Sequence, residues 1–307
     1  MICKPNTLLL TVLTLLILVG PLSASEPNSF ILNVGGSSIG ASLPEVPGRL
    51  SRQELLNWVE TSALTVSRYY GRFPVPNLTL RVRGSDGSGI RHGVTYPQGG
   101  GLILISVGRD TDISETKDDW VLVHEMIHLA FPSMDDDHHW LEEGISTYVE
   151  PVARAQAGLM SEAEVWKEFI RDMPKGEPQP GDHGLDNTHT WGRTYWGGAL
   201  FCLLADIRIR EHTGNRKGLQ DGLRGILNAG GKITEDWEIG KTLAIGDKAA
   251  GSHVLQDLYR EMRDKPKAID LNQIWQKLGV ELKDGTVRFN DKAPEADIRK
   301  AITHAIS

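Results

Sequence analysis

The chain has 307 residues, of which 40% are hydrophobic and 24% are charged, and its formal net charge is −7. This composition is ordinary for a soluble globular protein and gives no reason to expect extended disorder. Nucleic acid or an anionic membrane surface would call for a cluster of Lys and Arg, and the sequence contains no basic block. We therefore expect neither kind of partner.

Residues 1–25 have the pattern of a secretory signal peptide. A short positive start, MICK, precedes the apolar run LLLTVLTLLILVG, and Ser23 and Ser25 lie where a cleavage site is expected. The alternative is an uncleaved membrane anchor, but the run is shorter than the roughly 20 apolar residues that span a bilayer. We predict an exported protein, periplasmic or secreted, with no membrane insertion after the leader is removed.

Cysteine usage offers no catalytic candidate. Cys3 belongs to the leader, so the mature chain keeps only Cys202 and cannot form an internal disulfide. Cys202 lies in the apolar run GGALFCLLADI. We predict that it is a small buried hydrophobic side chain rather than a nucleophile.

The region from 26 to 112 is predicted to be rich in strands, with one helix. The helix lies in SRQELLNWVETSALTVSRYYGRF, where Ser51 and Glu54 form a capping box and Gly71 and Pro74 end it. NLTLRVRG alternates like a half-buried strand, and GLILISVGRD is an apolar strand. The glycine-rich segments GSDGSG and PQGGG are predicted to be hairpin connections.

After residue 112 the pattern becomes helical. One helix is predicted from Asp112 and Glu115 to Pro132, with an apolar face formed by Trp120, Val121, Val123, Ile127 and Leu129. Further helices are predicted in WLEEGISTYVEPVARAQAG, TYWGGALFCLLADIRIREHTG, KGLQDGLRGILNAGG and DLNQIWQKLG, followed by a hairpin in VELKDGTVRF. The Pro- and Gly-rich stretch MPKGEPQPGDHGLDNTHTWG is predicted to be a long surface loop, a type of segment that often carries function.

The segment HEMIH, residues 124–128, has the spacing of a zinc site. His124 and His128 are four residues apart, so on a helix both rings can face one ion. A catalytic zinc takes three protein ligands and keeps one open position, and Glu125, about 100° round the helix, can act as general base beside the ion. Two unrelated histidines are the alternative, but burying these groups without partners would cost roughly 1–3 kcal/mol each.

The string WLEEG in the next predicted helix offers two candidates for the third ligand. Glu142 and Glu143 point about 100° apart, and both lie near the margin of the buried side, so periodicity leaves the choice open. The preceding SMDDDHH adds His138 and His139 as rival metal ligands, and His139, beside Trp140, is the better of the two. Three consecutive aspartates are more typical of a solvated loop.

HEMIH followed by WLEEGISTYVE resembles the zinc peptidases called gluzincins. In that class a Trp-Leu-any-Glu-Gly string supplies the third ligand, which implies that Glu143 binds zinc and that Glu142 occupies the variable position. The segment TYWGGALFCLLADIRIREHTGNRKGL is similar to glycyl aminopeptidase-like enzymes and, more distantly, to aminopeptidase N. The resemblance implies that Tyr195 stabilises the oxyanion, with Gly197 in place of the family's lysine.

Tyr195 also has a purely structural interpretation, because it could pack with Trp191 and Trp196 as an aromatic cluster. The resemblance to the family runs from about Trp120 to the end of the chain. The glycine-rich motif that binds the substrate amine in aminopeptidase N is not recognisable: GIRHGVTYPQGGGLILISVG stands at the expected edge-strand position without a glutamate. No PDZ-like domain, as found in many relatives, is recognisable either.

The fold that this resemblance implies is α+β, a thermolysin-like gluzincin catalytic domain over residues 26–307. It would have a strand-rich lobe at 26–112, a helical lobe at 113–307, and the active-site helix between them. Thr147 and Glu150 are predicted to hydrogen-bond the histidines from outside the ligand set.

The resulting prediction for function is an exported zinc peptidase with one zinc ion per chain and a peptide or protein as substrate. Glu125 would be the general base and Tyr195 the oxyanion donor. Aminopeptidase and endopeptidase activity both stay open, since Glu142 is the one candidate to hold a substrate amine. The alternative is an inactive zinc-binding or peptide-binding module of the same fold, suggested by Gly197 and the missing amine motif.

Overall fold

The structure is a computed structural model that describes residues 28–44 and 48–304. The predicted signal peptide and Cys3 lie outside the described residues. Within the described ranges, no helix combines the length and the apolar character needed to cross a membrane. Cys202 is buried as predicted, and burial, with Asp206 nearby, raises the pKa of its thiol.

A five-stranded mixed sheet forms the N-terminal part, with strand order β1-β2-β3-β5-β4. Strands β2, β3 and β5 run parallel, while β1 and β4 are antiparallel edge strands. The helix that precedes β3 begins at the predicted capping box of Ser51 and Glu54 and ends at Gly71 in the left-handed conformation. The bounds are β1 (Ser29–Val34), β2 (Ser37–Ser42), α1 (Arg52–Tyr70), β3 (Asn77–Ser85), β4 (Ile90–Tyr96) and β5 (Leu102–Gly108).

The C-terminal part is helical, with one small hairpin formed by β6 and β7. A π-helical turn at Gly192–Gly197 leads directly into α6. The bounds are α2 (Ile113–Lys117), α3 (Val121–His128), α4 (His139–Gln156), α5 (Glu162–Asp172), α6 (Gly198–Thr213), α7 (Leu219–Asn228), α8 (Ile239–Ala250), α9 (Val254–Met262), α10 (Leu271–Leu278), β6 (Val280–Lys283), β7 (Thr286–Phe289) and α11 (Ala296–Thr303). The predicted α+β arrangement, with a strand-rich first part and a helical second part, is confirmed.

Of the two predicted hairpin connections, one was wrong and the other is confirmed. GSDGSG does not close a hairpin, because β3 pairs with β5 in parallel and β4 lies on the far side of β5. PQGGG does join two antiparallel neighbours, β4 and β5. GLILISVG is therefore an interior strand, and the edge strand is β4.

The helix predicted from 112 to 132 is two helices, α2 and α3. The break occurs because the Asp119 carboxylate accepts hydrogen bonds from the backbone N–H groups of Val121 and Leu122, which starts a new helix. Trp120, placed on the apolar face by periodicity, is instead 53% exposed at this break. The predicted surface loop at 173–192 is also anchored, because two of its residues, Met173 and Leu185, are fully buried in the hydrophobic core.

Helix α3 lies where the sheet meets the helical part. It contacts β4 and β5 on one side and α1 and α4 on others. The Trp58 indole of α1 donates a hydrogen bond to Asp119 at 2.9 Å, which fastens the start of α3 to α1. Both the sheet and the helices therefore fix the position of the HEMIH segment.

Candidate metal centre

The two histidines and Glu143 converge on one point. The His124 Nε2 atom lies 3.2 Å from the Glu143 Oε2 atom, and the His128 Nε2 atom lies 3.6 Å from the same oxygen. One potential ligand atom from each of the three residues lies within 4.8 Å of the others. Two atoms bound to zinc at about 2.1 Å in a tetrahedron are roughly 3.4 Å apart, so this donor set fits a zinc ion.

The charges of this cluster are mutually stabilising. Burial alone would raise the pKa of Glu143, but hydrogen bonds and charge interactions with His124 and His128 hold it well below its ordinary value. Burial lowers the pKa of His128, but the neighbouring carboxylates, Glu143 foremost, outweigh this effect and raise it. A carboxylate that stays ionised among imidazoles is the state in which such a group binds a cation.

The structure separates the two adjacent glutamates. Glu143 faces the histidines, whereas the Glu142 carboxylate accepts a hydrogen bond from the Met134 backbone N–H at 3.3 Å and lies 3.1 Å from the His139 Nδ1 atom. The His139 Nε2 atom is 3.4 Å from the second oxygen of Glu143. His139 is thus a neighbour of the ligand set, outside the three-residue cluster.

His138 turns away from this centre. Its Nδ1 atom lies 2.5 Å from Asp135, and its Nε2 atom lies 2.9 Å from the Tyr259 hydroxyl. Tyr259 in turn donates to Asp186 at 2.7 Å. His138 therefore belongs to a network that ties the loop before α4 to α9 and to the anchored segment at 173–192.

Glu125 is buried and points toward the edge strand β4. Its Oε2 atom accepts a hydrogen bond from the Thr95 hydroxyl at 2.6 Å. Sequence reasoning did not find Thr95, since this contact joins a strand to a helix 30 positions later. The local sequence Val94-Thr95-Tyr96 matches no motif that would indicate a functional residue.

Tyr195 stands over the cluster from the π-helical turn. Its ring stacks against the His124 ring with centroids 6.4 Å apart, and Trp191 stacks on Tyr195 at 5.8 Å. Burial, reinforced by the charges of Glu143 and Glu125, raises the pKa of Tyr195 to about 12. The phenol therefore keeps its proton at neutral pH and can act as a hydrogen-bond donor, while its ring packs against Trp191, one of the two tryptophans of the predicted aromatic cluster.

Gly197, at the position where the sequence resemblance would place a lysine, has a packing reason. A Cβ atom at Gly197 would lie 3.1 Å from the Arg193 Nη1 atom and 3.1 Å from Leu185. Arg193 is buried and forms an ion pair with Asp182 at 2.7 Å. Its guanidinium occupies the space beside position 197 and fastens the turn that carries Tyr195 to the anchored segment.

Thr147 and Glu150 are not brought to the histidines. Glu150 lies roughly 10 Å along α4 from Glu143, because a helix rises about 1.5 Å per residue. Its carboxylate accepts a hydrogen bond from Arg154 at 3.0 Å instead. The Thr147 hydroxyl is buried and has no hydrogen-bond partner in the described part of the chain. Within the described residues, neither Thr147 nor Glu150 forms the predicted hydrogen bond to His124 or His128.

The His-His-Glu cluster, Glu125 and Tyr195 line one cleft of about 380 Å³ between β4, α3 and α4. Among the described residues that line it, none is Lys or Arg, while three are glutamates. The lining is Gly93, Val94, Thr95, Pro97, His124, Glu125, His128, Phe131, Ser133, His139, Glu142, Glu143, Tyr195 and Ile233.

Solved structures of M1 zinc metallopeptidases and of an aminopeptidase N family protein have a similar fold. An aminopeptidase N family protein from Idiomarina loihiensis superposes with a TM-score of 0.59 at 13% identity, over 87% of this chain and 52% of that one. An M1 zinc metallopeptidase from Deinococcus radiodurans gives 0.51 at 14% identity, over 80% and 52%, and a two-domain M1 zinc metallopeptidase bound to L-arginine gives 0.53 at 14%, over 79% and 52%.

The chain thus spans about half the length of the solved proteins that it matches. No protein-family model matches the sequence, and no curated protein is significantly similar to it. At this level of identity the likeness concerns the fold. The chain shares a mixed α+β fold with M1 zinc metallopeptidases and carries a His-His-Glu cluster in it.

Proposed function

We propose that this chain is a zinc-dependent peptidase of the gluzincin class. The observation that carries the proposal is the convergence of His124, His128 and Glu143 to within 4.8 Å, with Glu125 and Tyr195 in the same cleft. The zinc metallopeptidase fold of the structural neighbours supports the proposal. Two further statements are predictions from the sequence: that the chain is most similar to glycyl aminopeptidase-like enzymes, and that it is exported.

Each polar group in the cleft has one role in this proposal. His124, His128 and Glu143 would hold one zinc ion. A zinc ion bound there supplies Lewis-acid chemistry, acidifying water and polarising a carbonyl. Glu125 accepts the proton of the attacking water and passes it to the leaving amine. Tyr195 donates a hydrogen bond to the oxyanion that develops on the substrate carbonyl.

The cleft also limits the substrate. Strand β4 is an edge strand whose residues Gly93, Val94 and Thr95 line the cleft, so an extended peptide can pair with its free backbone groups. A free C-terminal carboxylate would find no Lys or Arg among the described lining residues. We therefore propose cleavage within peptides or at their amino end, and not at the carboxyl end.

Whether Glu142 binds the substrate's amino group distinguishes aminopeptidase from endopeptidase cleavage. Glu142 lines the cleft and is the carboxylate available for a substrate ammonium group, but it also contacts His139. Comparing free peptides with their N-acetylated forms separates the modes, because an aminopeptidase requires the free amine. Equal rates on both forms would establish endopeptidase activity.

Metal analysis of the purified protein, followed by a broad peptide-library assay with and without a chelator, tests the proposed function. We expect about one zinc per chain and cleavage that disappears with chelator and returns with added zinc. Bound zinc with no cleavage of any peptide would favour the alternative, an inactive binding module. Cleavage that is unaffected by metal removal would contradict the proposal outright.

A further inference from the structure

We propose that Thr95 on edge strand β4 is a positioning residue for Glu125. Its hydroxyl would hold the carboxylate in the one orientation from which the other oxygen can take a proton from water in the cleft. This inference rests on the proposed function, because it assigns to Glu125 the role of general base. It adds a residue that neither the sequence pattern nor the resemblance indicates.

The contact between the two side chains is short and charge-assisted. The Thr95 Oγ1 atom lies 2.6 Å from Glu125 Oε2 and 2.9 Å from the Glu125 backbone oxygen. A hydroxyl has one proton to donate, and an ionised carboxylate is the stronger acceptor, with typical O–H···O⁻ distances of about 2.5–2.7 Å. The proton therefore points to the carboxylate. Among the described residues, no other side chain hydrogen-bonds it.

The backbone of β4 confines the carboxylate from a second direction. A Cβ atom at Gly93 would lie 2.5 Å from Glu125 Cγ and 2.6 Å from Glu125 Oε1. No residue with a side chain can therefore occupy position 93 while Glu125 keeps its place. The carboxylate is enclosed between the Gly93 backbone on one side and the Thr95 hydroxyl on the other.

An irregularity in β4 produces this arrangement. The pairing register with β5 shifts between Arg91 and Val94, and His92 adopts a positive φ of 52°. Such bulges redirect side chains and are common beside functional sites. Regular pairing resumes at Val94, and Thr95 lies opposite Ile103 of β5, which is fully buried. Thr95 is thus held in place by the pairing of β4 with the interior strand β5, while the Gly93 backbone approaches Glu125 of α3.

Strand β4 therefore limits the movement of the Glu125 carboxylate, the proposed general base. A glutamate side chain has three rotatable torsions, and the contacts from Thr95 and Gly93 restrict the rotamers that Glu125 can adopt. A catalytic group held by a packed partner loses less entropy on reaching its reactive position. The competing explanation is that the hydrogen bond only fastens β4 to α3, in which case its removal should affect folding and not the reaction.

Two substitutions at one position separate these explanations. Thr95→Val keeps the shape and removes the donor, and Thr95→Ser keeps the donor. We expect Thr95→Val to lower kcat by about 10–100-fold with KM and zinc affinity nearly unchanged, and Thr95→Ser to restore most of kcat. Thr286→Val, on the exposed strand β7, is the matched control and should behave like the wild type.

In a Glu125→Gln background, which keeps zinc, Thr95→Val should cause no further change in the binding of a zinc-directed inhibitor, because the two residues act as one unit. A Thr95→Val protein with wild-type kcat would overturn the inference while leaving the proposed function intact. Equal losses in Thr95→Val and Thr95→Ser, or a loss of zinc affinity that parallels the loss of kcat, would also overturn it.

A second measurement does not depend on finding a cleaved peptide. A simple hydroxamic acid that binds zinc as its anion gives up its N-hydroxyl proton, which Glu125 would accept. We expect Thr95→Val to weaken hydroxamate binding about tenfold, at unchanged zinc affinity, and Thr95→Ser to weaken it far less. Equal affinities in the wild type and Thr95→Val would overturn the inference even if no peptide is cleaved. A wild-type protein that binds no zinc would overturn both proposals.

Discussion

Two adjacent glutamates on α4 differ in what they contact, and this difference can be measured. Glu143 lies within 3.6 Å of both histidine Nε2 atoms, while Glu142 is held by Met134 and His139. Their chemistry is the same and their sequence positions are neighbours. Only the side-chain direction distinguishes the proposed ligand from its neighbour.

We therefore predict that Glu143→Gln and Glu142→Gln have unequal effects on zinc binding. Glu143→Gln removes a charged ligand and should weaken zinc affinity by more than the roughly 10–100-fold that loss of an outer partner costs. Glu142→Gln should change it far less. Competition titration with a fluorescent zinc chelator measures both, and equal losses would show that the third ligand is misassigned.

Tyr195 offers a second test at the residue scale. Removing one oxyanion donor typically lowers kcat by about 10²–10³-fold, so Tyr195→Phe should do so while zinc stays bound. Tyr70→Phe is the control, because the buried Tyr70 hydroxyl lies at the end of α1 and has no hydrogen-bond partner in the described part of the chain. A Tyr195→Phe enzyme with full kcat would reduce this residue to its packing role.

At the scale of elements, the close approach of α4 and the start of α6 brings Tyr195 over the cluster. A Cβ atom at Gly144 would lie 2.3 Å from Gly198 Cα, and one at Gly198 would lie 2.1 Å from the Trp140 backbone oxygen. The two helices touch through their backbones at this point. Glu143, the proposed third zinc ligand, directly precedes Gly144, so this contact sets the distance between the Glu143 carboxylate and the Tyr195 phenol.

Gly144→Ala should therefore lower the free energy of unfolding by about 1–3 kcal/mol, since the added methyl group overlaps backbone atoms that cannot yield. Gly240→Ala, on α8 with open space around it, is the matched control and should be neutral or stabilising by up to about 1 kcal/mol. Urea denaturation provides both values. Equal stability of the two variants would contradict the close packing.

Elements with local signals were predictable, and contacts between elements were not. Helix α1 was predicted because its capping box and glycine stop lie within the helix's own sequence. Helix α5 was missed although Ser161 and Glu164 form the same signal. The order of strands β3, β5 and β4 depends on non-local pairing, which alternation along one strand does not reveal.

The site follows the same division. The spacing in HEMIH indicated His124, Glu125 and His128 because a helix brings residues four apart to one side. Thr95 and Gly93 were missed, because their importance arises from a bulge that packs a distant strand on Glu125. Glu150 was misplaced, since position along the helix axis matters as much as direction around it.

For the whole molecule, the cluster joins the two main parts of the fold. The histidines lie on α3, which contacts the sheet, and Glu143 lies on α4 in the helical part. A ligand that binds only the folded state stabilises it by about 2.7 kcal/mol when its concentration is 100 times Kd. Bound zinc should therefore stabilise the molecule as a whole.

Removal of zinc should lower Tm by several degrees, and re-addition should restore it. The shift should vanish in His128→Ala, which lacks a ligand, and persist in His183→Ala, an exposed histidine outside the cleft. Differential scanning calorimetry with and without chelator measures both. A Tm that does not respond to zinc in the wild type would mean that the cluster holds no ion.

The role of Glu125 can be tested most directly by comparing peptide hydrolysis by zinc-loaded wild type and zinc-loaded Glu125→Gln at equal, measured zinc content. Glu60→Gln, an exposed substitution on α1, controls for the loss of one carboxylate. We predict that Glu125→Gln binds zinc like the wild type and has lost hydrolysis, while Glu60→Gln keeps it. Full hydrolysis by zinc-loaded Glu125→Gln would contradict the assignment of Glu125 as the general base of a zinc peptidase.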